Sequence, residues 1–309
     1  MSKELRKTSI GGQAVMEGVM MRGPKSYAVA VRKPDGEIVV DANTLPDKKR
    51  NWFVKLPIVR GCVNFVQSLV LGTKTLMWSA EFVDLEEEQP SKFDKWLEDK
   101  LGDKIKDIVI YFSVVLSLFL SVGLFILLPT WIVGLTKVFV ESSVLKSFLE
   151  GVVRISIFLI YLWAVSKMKE IQRVFQYHGA EHKTIACYEA GIELNVENAK
   201  KMTRLHPRCG TSFLIIVMVV SIIFFSFLRW DNVLIRSVTR IALLPIVAGI
   251  SYEIIKLAGR YDNWLTKIIS YPGLCLQKIT TSEPDDNQLE VAIVSMKKVL
   301  EDNPGDSKW

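Results

Sequence analysis

The sequence is poor in the residues and patterns on which most soluble enzymes and secreted domains are built. Its 309 residues include four cysteines and three histidines. Cys62, Cys187, Cys209 and Cys275 are scattered and form no CxxC pair. A disulfide framework is therefore not expected, and a reducing compartment is. The GxGxxG, P-loop, GxSxG and HExxH patterns are absent, which removes support from those nucleotide-binding and hydrolase classes. No secretory signal is expected, because residues 1–10 lead into Gly11, Gly12 and Gln13 rather than an apolar stretch with a cleavage site. There is no internal repeat and no low-complexity segment. The net charge of +6 comes without an arginine–aromatic recognition pattern, so no nucleic-acid partner is expected.

What the chain does have is apolar sequence. Half of its residues are hydrophobic and the mean hydropathy is +0.25. The excess sits in four runs after residue 107, which read as membrane spans. Ile108–Leu135 is uncharged until Lys137 and is long enough to tilt, or to kink near Pro129. Gly151–Ser166 carries Arg154 near one end, where the side chain can snorkel. Thr211–Leu228 has no charge, and Ile241–Tyr252 is the shortest, preceded by a stretch holding Arg236 and Arg240. Val54–Phe82 is cut into short pieces by Lys55, Arg60 and Lys74. It suits an amphipathic interfacial helix or an ordinary buried one. The expected fold is a mainly α membrane protein with about four transmembrane helices and an N-terminal cytoplasmic α+β module containing a β-hairpin.

Four spans place the N-terminal part, residues 167–210 and the C-terminal part on one side. That side holds Lys167, Lys169, Arg173, Lys183, Lys200, Lys201, Arg204 and Arg208, whereas 136–150 holds only Lys137 and Lys146. The positive-inside rule makes the first side cytoplasmic, with both termini there, in a cytoplasmic membrane. Arg229, Arg236 and Arg240 argue the other way and are outnumbered. Anionic membrane lipid is then the partner that accounts for the net charge.

The expected organisation is a module at 1–107, a membrane domain at 108–258 with a cytoplasmic histidine-rich segment at 167–210, and a helical tail at 259–309. Tyr27–Arg32 and Glu37–Val40 flank Lys33-Pro-Asp-Gly36, a hairpin signal. Glu86–Glu88 forms an acidic patch before Pro90 and a charged helix. The second span is expected to continue as helix to Ala190, or to break near Gly179, with Gly191 as C-cap. After Glu283-Pro-Asp-Asp286, Leu289, Ile293, Met296 and Leu300 make the stripe of an amphipathic helix.

All three histidines fall in the 167–210 segment. His178-Gly-Ala-Glu181-His182 reads HxxEH, and positions i and i+4 of a helix share a face. Two imidazoles can then reach one metal while Glu181 sits beside them as the base for a metal-activated water. His206-Pro-Arg-Cys209 offers another imidazole and a thiol. His178, His182 and His206 alone leave a position open for water; adding Cys209 closes the site as a structural one. The competing readings are hydrogen-bonding histidines at an interface and Cys209 as a small buried residue. Glu189, seven residues from His182 on the same face, is over about ten ångströms along the axis and can act only through other groups. Glu253, at the cytoplasmic end of the fourth span, is a functional candidate by its depth, or a partner of Lys256 or Arg260. Gly11–Gly18 is either a tight turn with close backbone approach or the carrier of Glu17 to a site.

Four segments together resemble a known family: Gly11-Gly-Gln-Ala-Val-Met-Glu-Gly-Val-Met-Met-Arg-Gly-Pro24, Tyr177-His-Gly-Ala-Glu-His-Lys183, His206-Pro-Arg-Cys-Gly-Thr-Ser212 and Thr280-Thr-Ser-Glu-Pro-Asp-Asp286. They are similar to those of the YqhQ-like bacterial membrane proteins, a family of unknown function usually described as predicted metal-dependent enzymes. The resemblance covers almost the whole chain and implicates His178, Glu181, His182, His206 and Cys209, with Glu17 from the first motif. The expectation is a divalent metal, zinc by ligand type, at the cytoplasmic face. It would serve hydrolysis of an unidentified substrate with Glu181 as catalytic base. The alternative is a non-enzymatic scaffold or assembly factor with a structural metal site or polar network. Transport has less support, since the charges cluster near span ends.

Overall fold

The structure is a computed structural model, and it describes residues 8–45, 52–83, 105–135, 142–227, 233–261 and 263–302. The acidic patch at 86–88, the charged helix after Pro90 and the turn near Arg229 and Asp231 lie outside the described residues. The described chain is mostly helical, with one four-stranded antiparallel sheet near the N-terminus. It divides into two compact units. One comprises residues 1–83, 161–221 and 243–309, the other 84–160 and 222–242.

The first unit is built on the sheet. Strands β1 (Gly11–Val15), β2 (Gly18–Arg22), β3 (Ser26–Arg32) and β4 (Ile38–Thr44) follow in order as a meander. The hairpin expected around Lys33–Gly36 joins β3 to β4, with Gly36 at φ 90°. The glycine motif proves to be a second hairpin. Val15 pairs with Gly18, and Glu17 in the turn adopts φ 47°, a left-handed conformation costly for a residue with a Cβ. Arg173 and Tyr177 hold the Glu17 carboxylate, and the Arg32 N–H donates to its carbonyl at 2.9 Å.

β2 and β3 are buried almost throughout because both faces of the sheet are covered. On one face Val19, Met21, Ala28 and Ala30 meet Tyr177, Ala180 and Ile185 of α5 (Lys169–Glu189) and Leu289, Ile293 and Met296 of α10 (Asp286–Asp302). On the other, Val15, Met20, Tyr27, Val29 and Val31 meet Leu71, Leu76 and Trp78 of α1 (Pro57–Ala80). Each large side chain buried this way contributes roughly 1.5–3 kcal/mol. The C-terminal segment is therefore part of the same compact unit as the N-terminal sheet.

α1 also crosses the helix running from Val233 to Arg260, where Gly61 and Gly249 approach so closely that a Cβ on Gly61 would meet the Gly249 carbonyl at 2.8 Å. Its far face exposes Val66, Leu69, Val70 and Met77. α4 (Ser143–Val165) ends before α5, which starts at Lys169, so the chain breaks near Ser166 and not at Gly179. Gly191, at φ 63°, closes α5. Its N–H donates to Tyr188 O at 2.9 Å and that of Ile192 to Cys187 O at 3.4 Å, a Schellman motif.

In the second unit α2 (Ile105–Val122) passes through a π-helical turn, Gly123–Leu127, into α3 (Leu128–Gly134). Pro129 cannot donate to Phe125, four residues back, and Arg154 Nε takes that carbonyl at 2.9 Å. Among the described residues, three helices are long and apolar enough to cross a membrane: Val115–Gly134, Val144–Val165 and Ser237–Arg260. The uncharged run starting near Thr211 forms α7 (Gly210–Ser226), 17 residues long and short of that length. Following in chain order are α8 (Val233–Arg260) and α9 (Trp264–Thr280), with the short α6 (Val196–Lys200) after α5.

Candidate metal centre

α5 carries the HxxEH motif with no interruption, so His178 and His182 stand one turn apart with ring centroids 4.4 Å from each other. Gly179 sits between them because the chain after α9 lies directly on the helix. A Cβ at Gly179 would meet the Ser282 carbonyl oxygen at 2.1 Å. That close approach places the Thr280 carbonyl 2.9 Å from His178 Nδ1. His182 Nδ1 is likewise 2.6 Å from the Arg204 carbonyl. Carbonyls only accept, so both Nδ1 atoms donate, and in a neutral ring the Nε2 atom then presents its lone pair.

Those lone pairs face Cys209. His178 Nε2 is 3.1 Å from Cys209 Sγ, and ligand atoms of His178, His182 and Cys209 all lie within 4.8 Å of one another. His182 Nε2 is buried and has no hydrogen-bond partner, an orphaned acceptor of the kind a cation satisfies. Burial keeps the His182 imidazole below its ordinary pKa, hence neutral as a ligand must be. Cys209 immediately precedes α7, and its sulfur accepts from Thr211 N at 3.5 Å and Thr211 Oγ1 at 3.3 Å. The donor set, two imidazoles and a thiol, fits zinc.

Glu181 is buried beside this group. Burial pushes its carboxyl up to about 7, against the pull of His178 and the Gly12 N–H. Gly12 is there by necessity: a Cβ would come within 2.9 Å of the Glu181 side chain and 2.7 Å of the Met20 carbonyl. A cavity of about 70 Å³ opens here, bounded by Glu181, His182, His206, Cys209 and the Ser9–Gly12 segment. That is room for more than one water.

The remaining candidates have other partners. His206 stands outside the three-residue group, with its ring 5.7 Å from that of His182 and its Nε2 3.5 Å from Glu189. Its backbone is gripped at both ends by the fully buried Gln277, which accepts from His206 N at 2.8 Å and donates to His206 O at 2.7 Å. Glu189 also receives Arg208 and the Thr8 N–H, the latter at 2.7 Å. Burial alone would raise its carboxyl, but His206, the Thr8 N–H and Arg208 together hold it below the usual range. Glu17 binds Arg173 and Tyr177, and so fastens α5 to the sheet. Glu253 pairs with neither Lys256 nor Arg260 but with Arg60 of α1, through contacts of 2.6 and 2.8 Å.

Sequence reasoning missed Gly12, Gln277 and the two carbonyls that orient the imidazoles. It quoted the Thr280–Asp286 motif without a role. The structure gives it several: Thr280 orients His178, Glu283 pairs with Lys183 at 2.8 Å, and Asp285 with Gln288 caps α10 reciprocally.

The class so defined is a largely helical protein with an N-terminal antiparallel sheet, three helices apolar enough to cross a membrane and a buried histidine–cysteine cluster. Within that class, the chain belongs to the family described as "Protein of unknown function (DUF1385)", which matches residues 56–302. It is 38% identical over 308 residues to "Uncharacterized protein YqhQ" of Bacillus subtilis (strain 168), covering 97% of this chain and 95% of that protein. No solved structure matches the chain.

Proposed function

We propose that this is a multi-pass protein of the cytoplasmic membrane that holds one divalent metal, zinc, at its cytoplasmic face and uses it for hydrolysis. The observation that carries this reading is the convergence of His178, His182 and Cys209, with the His182 Nε2 buried and unpartnered. Zinc held there supplies Lewis acidity to a water and a substrate oxygen. The chain's own residues do the rest. The Thr280 and Arg204 carbonyls fix both imidazoles in the ligating tautomer. Glu181, on the wall of the same cavity and with its pKa near 7, takes a proton from the attacking water and returns it to the leaving group.

Parity supports four crossings. The sheet, α5 and α10 pack together, so they share one side of the membrane. An even number of crossings must then separate α5 from α10. If α8 crosses, α7 crosses too, despite its 17 residues. The excess of lysine and arginine makes the shared side cytoplasmic.

The test is the metal content of detergent-purified protein. About one equivalent of zinc is expected in the wild type and none in His178→Ala/His182→Ala. Glu181→Gln should keep the zinc and lose turnover across a panel of chromogenic esters, amides and phosphates. Wild-type protein that stays metal-free after zinc reconstitution would sink the proposal. Zinc lost in Glu181→Gln alone would make Glu181 a ligand and end its assignment as base. One observation favours a structural centre instead: it ties together three separate segments, 178–182, 204–209 and 280–283. A scaffold of that kind would tolerate Glu181→Gln and lose thermal stability in His182→Ala.

A further inference from the structure

α9 is amphipathic the wrong way round for a water-soluble protein. Thr266, Ser270, Gly273, Gln277 and Thr280 face the protein and are buried. Trp264, Leu265, Ile268 and Tyr271 face outward, with Trp264 73% and Tyr271 66% exposed. An outward apolar face with two aromatics of the interfacial kind suits the headgroup boundary of a bilayer. The helix starts four residues after Arg260, where the last candidate span ends, so chain continuity puts it at that level.

Beside α9 lies a groove of about 570 Å³, within the usual range for ligand sites. Its walls are mostly apolar, with Met202 and Leu205 opposite Tyr271 and Leu274. His206 and Arg208 line both this groove and the small cavity at Glu181 and Cys209. Arg208 and Lys267 give the lining two cations against one carboxylate, Glu189.

We infer that this groove binds the hydrocarbon chain of an anionic single-chain amphiphile taken from the membrane, and that its head points past His206 to the metal centre. The inference rests on the hydrolytic reading of that centre and names its substrate class. A chain lying in the groove exchanges lipid for an apolar wall and keeps its methylenes out of water. The cationic rim selects an acidic head.

The test uses the full chain in nanodiscs and a palmitic acid probe bearing a diazirine on its chain. Crosslinks should map to Met202, Leu205 and Leu274. They should fall at least about fivefold in Leu274→Trp, which fills the groove, and should persist in Ile268→Trp on the outward face. Met202→Trp, from the opposite wall, serves if Leu274→Trp does not elute as a single species. Unlabelled palmitate should displace the probe, and butyrate at the same concentration should not. Labelling spread evenly over the apolar helices, labelling unchanged in the groove-filling variants, or equal displacement by butyrate overturns the inference. Zinc is measured in the same samples. Zinc present without groove labelling defeats the groove alone. Groove labelling without zinc defeats the hydrolytic reading and leaves lipid binding standing.

Discussion

Each unit of the molecule buries a polar cluster, and the two are wired in opposite ways. In the 84–160/222–242 unit, Glu150 accepts from Thr130 at 2.6 Å, from Arg154 at 3.3 Å and from Arg240. Arg154 spends its Nε on the Phe125 carbonyl, and Arg240 lies over the Phe225 ring. All three donors there point at one acceptor, Glu150 Oε1. In the other unit, backbone carbonyls occupy the Nδ1 atoms of His178 and His182 and turn the Nε2 lone pairs, with Cys209 Sγ, toward one another. His178 Nε2 and Cys209 Sγ pair at 3.1 Å, whereas His182 Nε2 is buried without a hydrogen-bond partner among the described residues. The first arrangement joins its donors to one carboxylate as a lock; the second leaves a buried acceptor open. Burial and polarity alone therefore do not mark a functional site. The sign of what the groups present does.

The largest effect should come from breaking the lock. Glu150→Ala leaves two buried guanidinium groups without their carboxylate and should cost about 3–5 kcal/mol in unfolding experiments in detergent. Replacing Glu150, Arg154 and Arg240 together by leucine should recover most of that loss. A single variant no less stable than wild type would show that the cluster is not a lock.

A smaller effect is expected at the histidine–cysteine cluster. In Gly179→Ala the added Cβ collides with the Ser282 carbonyl, the 280–283 segment lifts, and His178 loses its orienting partner. Zinc affinity should fall roughly 10–100-fold, the usual effect of losing such a partner. A chelator titration with unchanged affinity would separate the centre from that segment.

The smallest effect concerns pH. The Glu189 carboxyl is held below its ordinary value, so the unfolded chain takes up this proton first as pH falls. Glu189 thus adds stability that is present above about pH 4.5 and lost below it. Glu189→Gln should flatten the acid limb of the stability curve without steepening the neutral region. An acid limb identical to wild type would show that Glu189 gains nothing from His206, Thr8 and Arg208.

Much of the fold could be read in advance where local physics decides it. The long apolar runs, the Gly191 cap, the hairpin around Lys33–Gly36 and the stripe Leu289, Ile293, Met296 are all set by periodicity or by a single special residue. The first hairpin was hidden because its strands are five residues long and its left-handed turn residue is Glu17 rather than glycine or asparagine. The break near Gly179 was misjudged because a mid-helix glycine marks either flexibility or a close neighbour, and the neighbour is about a hundred residues away. The partner of Glu253 was missed for the same reason, Arg60 being 193 residues distant. Which of His206 and Cys209 stands with His178 and His182 depends on the path of the chain from 204 to 209, and spacing alone carries no information about that path.

The strap over Gly179 also sets a timetable. His178 leaves the ribosome 102 residues before Thr280, and its ring has no orienting carbonyl until that later segment arrives. During synthesis the nascent chain therefore carries an unfinished cluster until its C-terminal part is made. The His178 ring is fixed only after the C-terminal helix has docked on the sheet made first.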